Sequence, residues 1–313
     1  MKQPFSENAR ICLALCLFSI LLLGMIVFHA LPPPLFWKYP MAAQSYLEGG
    51  LKEERLVDFS PFYLHLHILI RKFFQEPNGV ILWIQILATS AASGFLFVLV
   101  RRYCTLPIAM LAALVFMTQH SIIVYTGTFE PEPFMVCFIL GYLVFALQRS
   151  RSAALLSGLF LGLSLLVRSN FFPLVILTLV AYKLREKNRR IWIRAGILFL
   201  APVIAAVTFL TVRNTVITGT VTPFVMNPGH VFFEGNNPIS TGESALYPPL
   251  IYDSRADFPS GPDYRHEIYR LFARRIADAS VSISESNRYW MNKAKNFIID
   301  HPGRMLTVVL GLG

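Results

Sequence analysis

The chain is a succession of apolar runs separated by short basic loops, and that pattern leaves few ways to fold. The runs are Ile11–Leu31, Val80–Val100, Leu106–Tyr125, Phe134–Leu147, Ala153–Val167, Phe171–Tyr182 and Ile191–Val212. A helix needs about 20 apolar residues to cross the hydrocarbon core of a bilayer. Inside that core only helices and closed barrels satisfy their backbone polar groups. Several of the runs are shorter than a full span, so they must be tilted, locally broken or buried within a bundle. Charged residues make up only 15% of the chain, against about a quarter in a soluble domain. Lipid is therefore the solvent for much of its length, and the expected fold class is an all-α polytopic membrane protein.

The first run follows a short polar start with Lys2 and Arg10, the pattern of a signal peptide. It is long, however, and continues into "LPPPLFW" without a small-x-small cleavage site, so it reads as a retained anchor. A last apolar run begins near Met305 and stops at Gly313. Too short to cross, it reads as the start of a truncated span. The four cysteines (Cys12, Cys16, Cys104 and Cys137) lie in or beside apolar runs without metal-ligand spacing. They read as small buried apolar residues rather than a disulfide framework.

Charge then selects a topology. With the N-terminus in the cytoplasm and one crossing per run, twelve basic residues fall inside, most of them at positions 101–102, 149–151 and 183–194, and only two acids, Glu7 and Glu186. That excess equals the formal charge of the whole chain, +10, and leaves the outer segments neutral. Such an excess in short loops on one face is the positive-inside pattern, and it assigns the high pI to topology instead of to nucleic-acid binding. The expected organisation is a membrane module over 1–212 with an outer loop at 32–78, then an extracytoplasmic segment over 213–303, then the truncated span at 304–313. The segment "SPFYLHLHILIRKFF", too short and charged to cross, is expected as an amphipathic helix on the outer surface.

Polar groups gather on the outer side. Asp58 sits among Val57, Phe59 and Phe62; a carboxylate in a partly apolar site has a raised proton affinity and suits a general base. His65 and His67, two apart, point from different faces of a helix and make a poor ligand pair. They read as interface packing. No cofactor is required, and a divalent cation enters only if one of these histidines joins Asp58. The turn "YTGTFEPEP" carries Tyr125, Glu130 and Glu132; Glu132 opens a helix, where an acid interacts well with the dipole. Arg168 in "LLVRSNFF" and Arg213 in "TVRNT" face outward against the positive-inside trend. Boundary ionisable residues are functional candidates, and the arginine fork suits phosphate oxygens. The stretch "GHVFFEGNNP" at 229–238 reads as a hook with tight turns at Gly229 and Gly235. In it Glu234, Asn236 and Asn237 offer polar contacts. The segment from Ile251 reads as a loop and a mixed-charge helix, and "SISESNRYWMNKAKNFIIDHP" as a second helix returning to the membrane.

In this order, "YLEGG…DFSPFY", "VRRYCTLPIAMLAALVF", "IVYTGTFEPEP", "GLFLGLSLLVRSNFFPL", "VRNTVITGTVTPFVMNPGHVFFEGNNP" and "NKAKNFIIDHPGRML" resemble the bacterial family-39-like glycosyltransferases of the GT-C superfamily. That group includes protein O-mannosyltransferases, aminoarabinose transferases and RgtA/B/C/D-like proteins. The resemblance implies a GT-C-like helical bundle in the plasma membrane with its active site on the outer face. It implies sugar transfer from a polyprenyl-phosphate donor to an envelope glycan, lipid or protein acceptor, with inversion. In that reaction an acid of the first outer loop takes the acceptor proton, and Arg168 and Arg213 stabilise the departing lipid phosphate. Tyr125, Glu132, Glu234, Asn236 and Asn237 are the candidate substrate contacts. With Tyr39 and "AAQSYLEGG" matched to the family's stretch, its acid falls at Leu35, which carries no carboxylate: either Asp58 or Glu48 has taken the base role, or the alignment is shifted, or the chain is a catalytically weakened relative. Two other readings follow from the same features: a GT-C-like membrane subunit without catalysis, and a transporter of lipid-linked sugars. No repeat of spans in the two halves supports the transporter.

Overall fold

The computed structural model describes residues 4–31, 38–49, 59–218, 221, 223, 228–237 and 283–303. Leu35, Asp58, the segment 238–282 and the run beginning at Met305 lie outside the described residues. The described regular structure is helical throughout, and it divides into two compact units, Met1–Phe224 and Val225–Gly313.

The first unit begins with α1 (Pro4–Met25), which ends in one wide turn over Ile26–Ala30, closed by Leu31 N–H donating to the Ile26 carbonyl at 3.0 Å. Then come α2 (Lys38–Leu47), α3 (Pro61–Phe73), α4 (Pro77–Arg101), α5 (Leu106–Thr118), α6 (His120–Gly127), α7 (Glu132–Ala146), α8 (Arg151–Val167), α9 (Pro173–Arg185) and α10 (Arg189–Thr218). Proline opens α3, α4, α5, α7 and α9 within the first two positions, where its missing N–H is one the helix would leave unbonded anyway. Among the described residues, three helices are long and apolar enough to cross a membrane: residues 8–30, α4 and α10. The expected third span is two helices, α5 and α6, bent by 52° at Gln119 and together long enough to be a fourth. The shorter runs are accommodated by burial, with α8 packed between α7 and α10, and α7 also against α4.

How the helices meet is set by small residues, as expected where lipid removes the hydrophobic drive between helices. On α5, Ala109, Ala113 and Met117 face inward, whereas Ile108, Leu111 and Val115 are more than half exposed. Along most of α5, large apolar side chains thus point outward and alanines inward, the reverse of a soluble core, and this suits a lipid-facing surface. On α8, Gly158 and Gly162 lie against the middle of α10 around Phe199 and Pro202. A Cβ on Gly158 would meet the Phe199 carbonyl oxygen at 2.1 Å.

The surface-helix expectation for α3 holds in period but not in depth. Tyr63, Leu64, His67 and Ile70 form one buried stripe against α2, α4 and α8, while His65 is exposed. The span expected to end at Val212 continues as α10 to Thr218, because "RNTVIT" contains no breaker before Gly219. Arg213 therefore lies within a helix instead of following one.

The basic loops meet at one end of this unit. Arg102 in the α4–α5 loop donates to the Val144 carbonyl at 2.9 Å. Arg185 at the end of α9 donates to those of Ala146 and Gln148 at 3.2 and 3.1 Å. The α6–α7 turn and the C-terminal end of α8 lie at the other end.

In the second unit, α11 (Pro228–Gly235) packs on α12 (Ile283–Asp300), with Phe233 and Trp290 ring centroids 4.7 Å apart. The expected hook is thus a helix, not a pair of tight turns. Asn236 and Asn237 close it by donating their side-chain amides to the carbonyls of Phe232 and Phe233 at 2.8 and 2.9 Å. Two asparagines after a short helix are well suited to its unsatisfied last carbonyls.

Candidate active site at the α6–α7 turn

The non-basic end of the bundle is organised around Gln85, a fully buried amide in α4. Its Nε2 donates toward the carbonyls of Tyr125, Thr126 and Thr128 at 3.3, 3.1 and 2.6 Å. Its Oε1 accepts the Tyr63 hydroxyl. One turn along α4, Thr89 Oγ1 lies 2.9 Å from Thr126 Oγ1. These groups satisfy the last carbonyls of α6, which have no helical donor of their own and no water within a bilayer. The turn Thr128–Pro131 is thereby pinned, with Phe129 buried beneath it.

The start of α3 is tied to the same region. Ser60 N–H donates to the Tyr39 hydroxyl at 3.2 Å, and Ser60 Oγ to the Leu166 carbonyl in the last turn of α8 at 3.4 Å. Lys38 Nζ sits 4.8 Å above the Phe59 ring, close enough for a cation–π contact.

Four charged groups collect on this frame. Arg168, the first residue after α8, forms an ion pair with Glu132 Oε1 in the first turn of α7. The acid stands at a helix N-terminus and the cation at a helix C-terminus, each the favourable end for its charge. Glu132 Oε2 is buried without a hydrogen-bond partner among the described residues. Glu130, half-buried in the turn, has its carboxyl pushed up to about 7. Burial is the main cause and the charge of Glu132 adds to it, while Lys38 and Arg168 pull the other way. Burial likewise raises the Tyr39 phenol, which also feels Glu130, Glu132 and Arg168. A carboxyl that exchanges its proton near neutrality beside two cations has the equipment for proton transfer next to a developing negative charge.

Beside this cluster, at the bend between α5 and α6, lies an apolar cavity of about 190 Å³. Tyr125, 42% exposed, and Glu132 both line it, together with Phe116, Ile122 and Met135. Two of the expected substrate contacts therefore share one cavity, and Glu132 also belongs to the charged cluster.

The remaining candidates are distributed as follows. Arg213 donates to Asn214 Oδ1 at 2.9 Å, and its charge acts on His65 of α3. Phe59 and Ser60, the chain neighbours of Asp58, are part of the cluster's frame. Glu48 is exposed just after α2 and accepts from Gln44 Nε2 at 2.5 Å. A ten-residue helix is about 15 Å long, so Glu48 is not brought to the Lys38 end. Glu234, Asn236 and Asn237 belong to α11 and the turn that closes it. His67 is packed among the rings of Tyr39, Tyr63 and Phe129, with neither nitrogen hydrogen-bonded among the described residues. Among those residues no three His, Cys, Asp or Glu side chains converge.

Sequence reasoning passed over Glu130, Lys38, Tyr39 and Gln85 as functional residues. Two signals were present: Lys38 is a cation in the segment that the charge pattern assigns to the side poor in cations, and Gln85 interrupts an apolar span with an amide.

Residues 58–213 match the family described as dolichyl-phosphate-mannose-protein mannosyltransferase. The chain belongs to the GT-C superfamily of glycosyltransferases. The matched segment opens at Asp58 and closes at Arg213, so it contains the whole Glu130–Glu132–Arg168 cluster and the cavity beside it. No match to the chain was found among curated proteins or among solved structures. At the level the family carries, this is a membrane glycosyltransferase, and the α6–α7 turn is its candidate active site.

Proposed function

We propose that this GT-C glycosyltransferase moves a sugar from a polyprenyl-phosphate carrier to a hydroxyl acceptor on the outer face of the membrane. The observation that carries the reading is the Glu130–Glu132–Arg168 cluster beside an apolar cavity, at the end of the bundle opposite the basic loops. A lipid-linked donor needs an apolar approach and a cationic phosphate site, and both elements are close together here. The family description names a dolichyl-phosphate mannose donor and a protein acceptor, so mannose and proteins head the substrates to be tried.

In this reading the acceptor hydroxyl loses its proton to a carboxylate as its oxygen attacks the anomeric carbon. The bond from that carbon to the phosphate oxygen breaks on the opposite face, and its electron pair leaves with the lipid phosphate. Configuration inverts. Arg168 and Arg213 stabilise the leaving phosphate, the larger electrostatic task. Arg168 exchanges part of its pairing with Glu132 for the phosphate as the charge develops. Glu130 is the base whose surroundings support the role best: it is half-buried, near neutrality in proton affinity, and less committed than Glu132. Asp58, adjoining Phe59 and Ser60, is the second candidate. Either would supply the carboxylate that Leu35 lacks.

The test is sugar transfer in membranes containing the full-length protein, with a panel of radiolabelled polyprenyl-phosphate sugars. Removing a general base typically costs about 10²–10⁴-fold in rate. Glu130→Gln or Asp58→Asn should show a loss of that size at equal expression, and Arg168→Gln a comparable one. A parent protein that binds the carriers but transfers none of the sugars would sink the reading and leave a non-catalytic GT-C subunit in its place.

A further inference from the structure

At the basic end of the first unit the loops after α7 and α9 enclose a second cavity, of about 250 Å³. Four arginines line it, Arg149, Arg151, Arg185 and Arg194, against a single acid, Glu186. The positive-inside pattern accounts for basic residues on this side of the bundle. It does not account for four of them converging on one cavity, where like charges raise each other's energy.

Only one of the four is committed to the fold. Arg185 donates to the carbonyls of Ala146 and Gln148 at the C-terminal end of α7, and its guanidinium lies 5.4 Å from the Tyr182 ring. Arg149, Arg151 and Arg194 are exposed and make no ion pair with a carboxylate among the described residues. The cavity also borders the first turn of α8, a 17-residue helix whose N-cap Ser150 accepts the Ala153 N–H at 3.1 Å and leaves other first-turn N–H groups available.

The other walls are apolar or aromatic: Ala154, Tyr182, Ile191, Trp192 and Ala195. Ile191 is 51% exposed and Leu184, the chain neighbour of Arg185, is 80% exposed, large apolar side chains of the kind the bundle turns toward lipid. The mouth of the cavity thus lies where the basic loops meet the lipid-facing surface. A free anion would need only the arginines. A lipid would use both parts, with its phosphate among the guanidiniums and its chains along Ile191 and Leu184. Basic pockets between membrane helices are suited to such headgroups, and arginine is the cation best shaped for phosphate oxygens.

We propose that this cavity binds the phosphate headgroup of an acidic glycerophospholipid, a site separate from the α6–α7 turn. It ties the α7–α8 and α9–α10 loops together at the membrane surface.

The full-length protein purified in an uncharged detergent tests this. Its thermal midpoint and bound lipid, the latter by native mass spectrometry, would be followed as phosphatidylglycerol, phosphatidylcholine or inorganic phosphate is added. Phosphatidylglycerol should bind and raise the midpoint, and the other two should do neither at equal concentration. The doubly substituted Arg149→Gln/Arg194→Gln protein should bind phosphatidylglycerol about twenty-five-fold more weakly, taking roughly fivefold per arginine. Equal binding of phosphatidylcholine would overturn the proposal, because the headgroup charge would then be irrelevant. A full response to inorganic phosphate would overturn it in favour of a soluble-anion site. Undiminished binding by the substituted protein would overturn the assignment to this cavity. The comparison of lipids on the parent protein decides the headgroup question even if the substituted protein folds poorly.

Discussion

Glu130 and Glu132 stand two residues apart in one turn and serve different ends. Glu132 is held by Arg168, and Glu130 is held near neutrality in proton affinity by burial and by its neighbour's charge. A base works in its ionised form, so transfer should rise with pH through a limb centred at about 7 and level off above it. Glu132→Gln removes the like charge and frees Arg168 to face Glu130. Both changes favour the carboxylate, and the limb should move to lower pH by about one unit. A limb that stays in place when Glu132 is neutralised would remove Glu130 from the base role. The same group shapes stability. Between its ordinary value near 4.5 and its raised value near 7, the folded protein holds a proton that the unfolded chain releases. Its contribution is thus lost as pH rises through that window, and Glu130→Gln should flatten the decline. The sequence made Asp58 look the better base, because Val57, Phe59 and Phe62 are its immediate neighbours. The groups that act on Glu130 besides Glu132 come from far along the chain, Lys38 of α2 and Arg168 after α8, and no local window contains them. Arg168 and Glu132 were legible one at a time, as a boundary cation and a helix-opening acid; their pairing across 36 positions was not.

Among the elements, the helices themselves were largely written in the apolar periods, whereas their interruptions were not. Nothing in "FMTQHSII" announces a break at Gln119; neither glycine nor proline stands there. At the break itself Thr118 Oγ1 takes up the Leu114 carbonyl at 2.9 Å, and at the far end of the short α6 Gln85, a third of the way along α4, takes up the carbonyls left open there. Conversely, the glycines and asparagines of 229–237 read as turns, yet the backbone is helical and the asparagines cap it. Helix burial against α12 outweighed local turn preference. The role of Gln85 gives a prediction at this scale. Gln85→Leu keeps a similar volume but orphans the Tyr63 hydroxyl and the carbonyls of Thr126 and Thr128. Buried groups left unpaired cost roughly 1–3 kcal/mol each; some will find other partners, so a net loss of about 3 kcal/mol is expected. In a protein of this size that lowers the thermal midpoint by roughly 5–10 °C. Amide exchange should quicken over residues 125–132, while the α8–α10 contact keeps its protection. Uniform exchange across the bundle would mean that Gln85 supports the fold generally and not the active-site turn.

At the scale of the whole molecule, the charge count alone sorted the loops into two groups, and the geometry of the first unit keeps that sorting. The basic loops touch one another through Arg102 and Arg185, and the α6–α7 turn meets the end of α8 through Glu132 and Arg168. The membrane-bundle class was legible because lipid imposes it on any chain this apolar. Which short helices cross was not legible, because length gives no answer below a full span. The sharpest case is α9, with 13 residues and a length of about 20 Å, against a hydrocarbon core of about 30 Å. Its two ends nevertheless lie at opposite ends of the bundle. It begins just after Arg168, at the C-terminal end of α8, and finishes at Arg185, hydrogen-bonded beside the C-terminal end of α7. Since α7 and α8 are joined by a short loop, those two helix ends are opposed. If α9 crosses, the bilayer must thin around it or the snorkelling side chains of Lys183 and Arg185 must make up the difference. Cysteines introduced singly at Asn170 and Lys187, both exposed, in a protein whose native cysteines are replaced by serine, decide the matter. With an impermeant maleimide applied to intact cells, Asn170→Cys should label and Lys187→Cys should label only after the membrane is opened. Labelling of both from outside would mean that α9 dips without crossing. The reverse pattern would turn the bundle over and put the Glu130–Arg168 cluster on the cytoplasmic face, where an outward-facing transferase has no use for it.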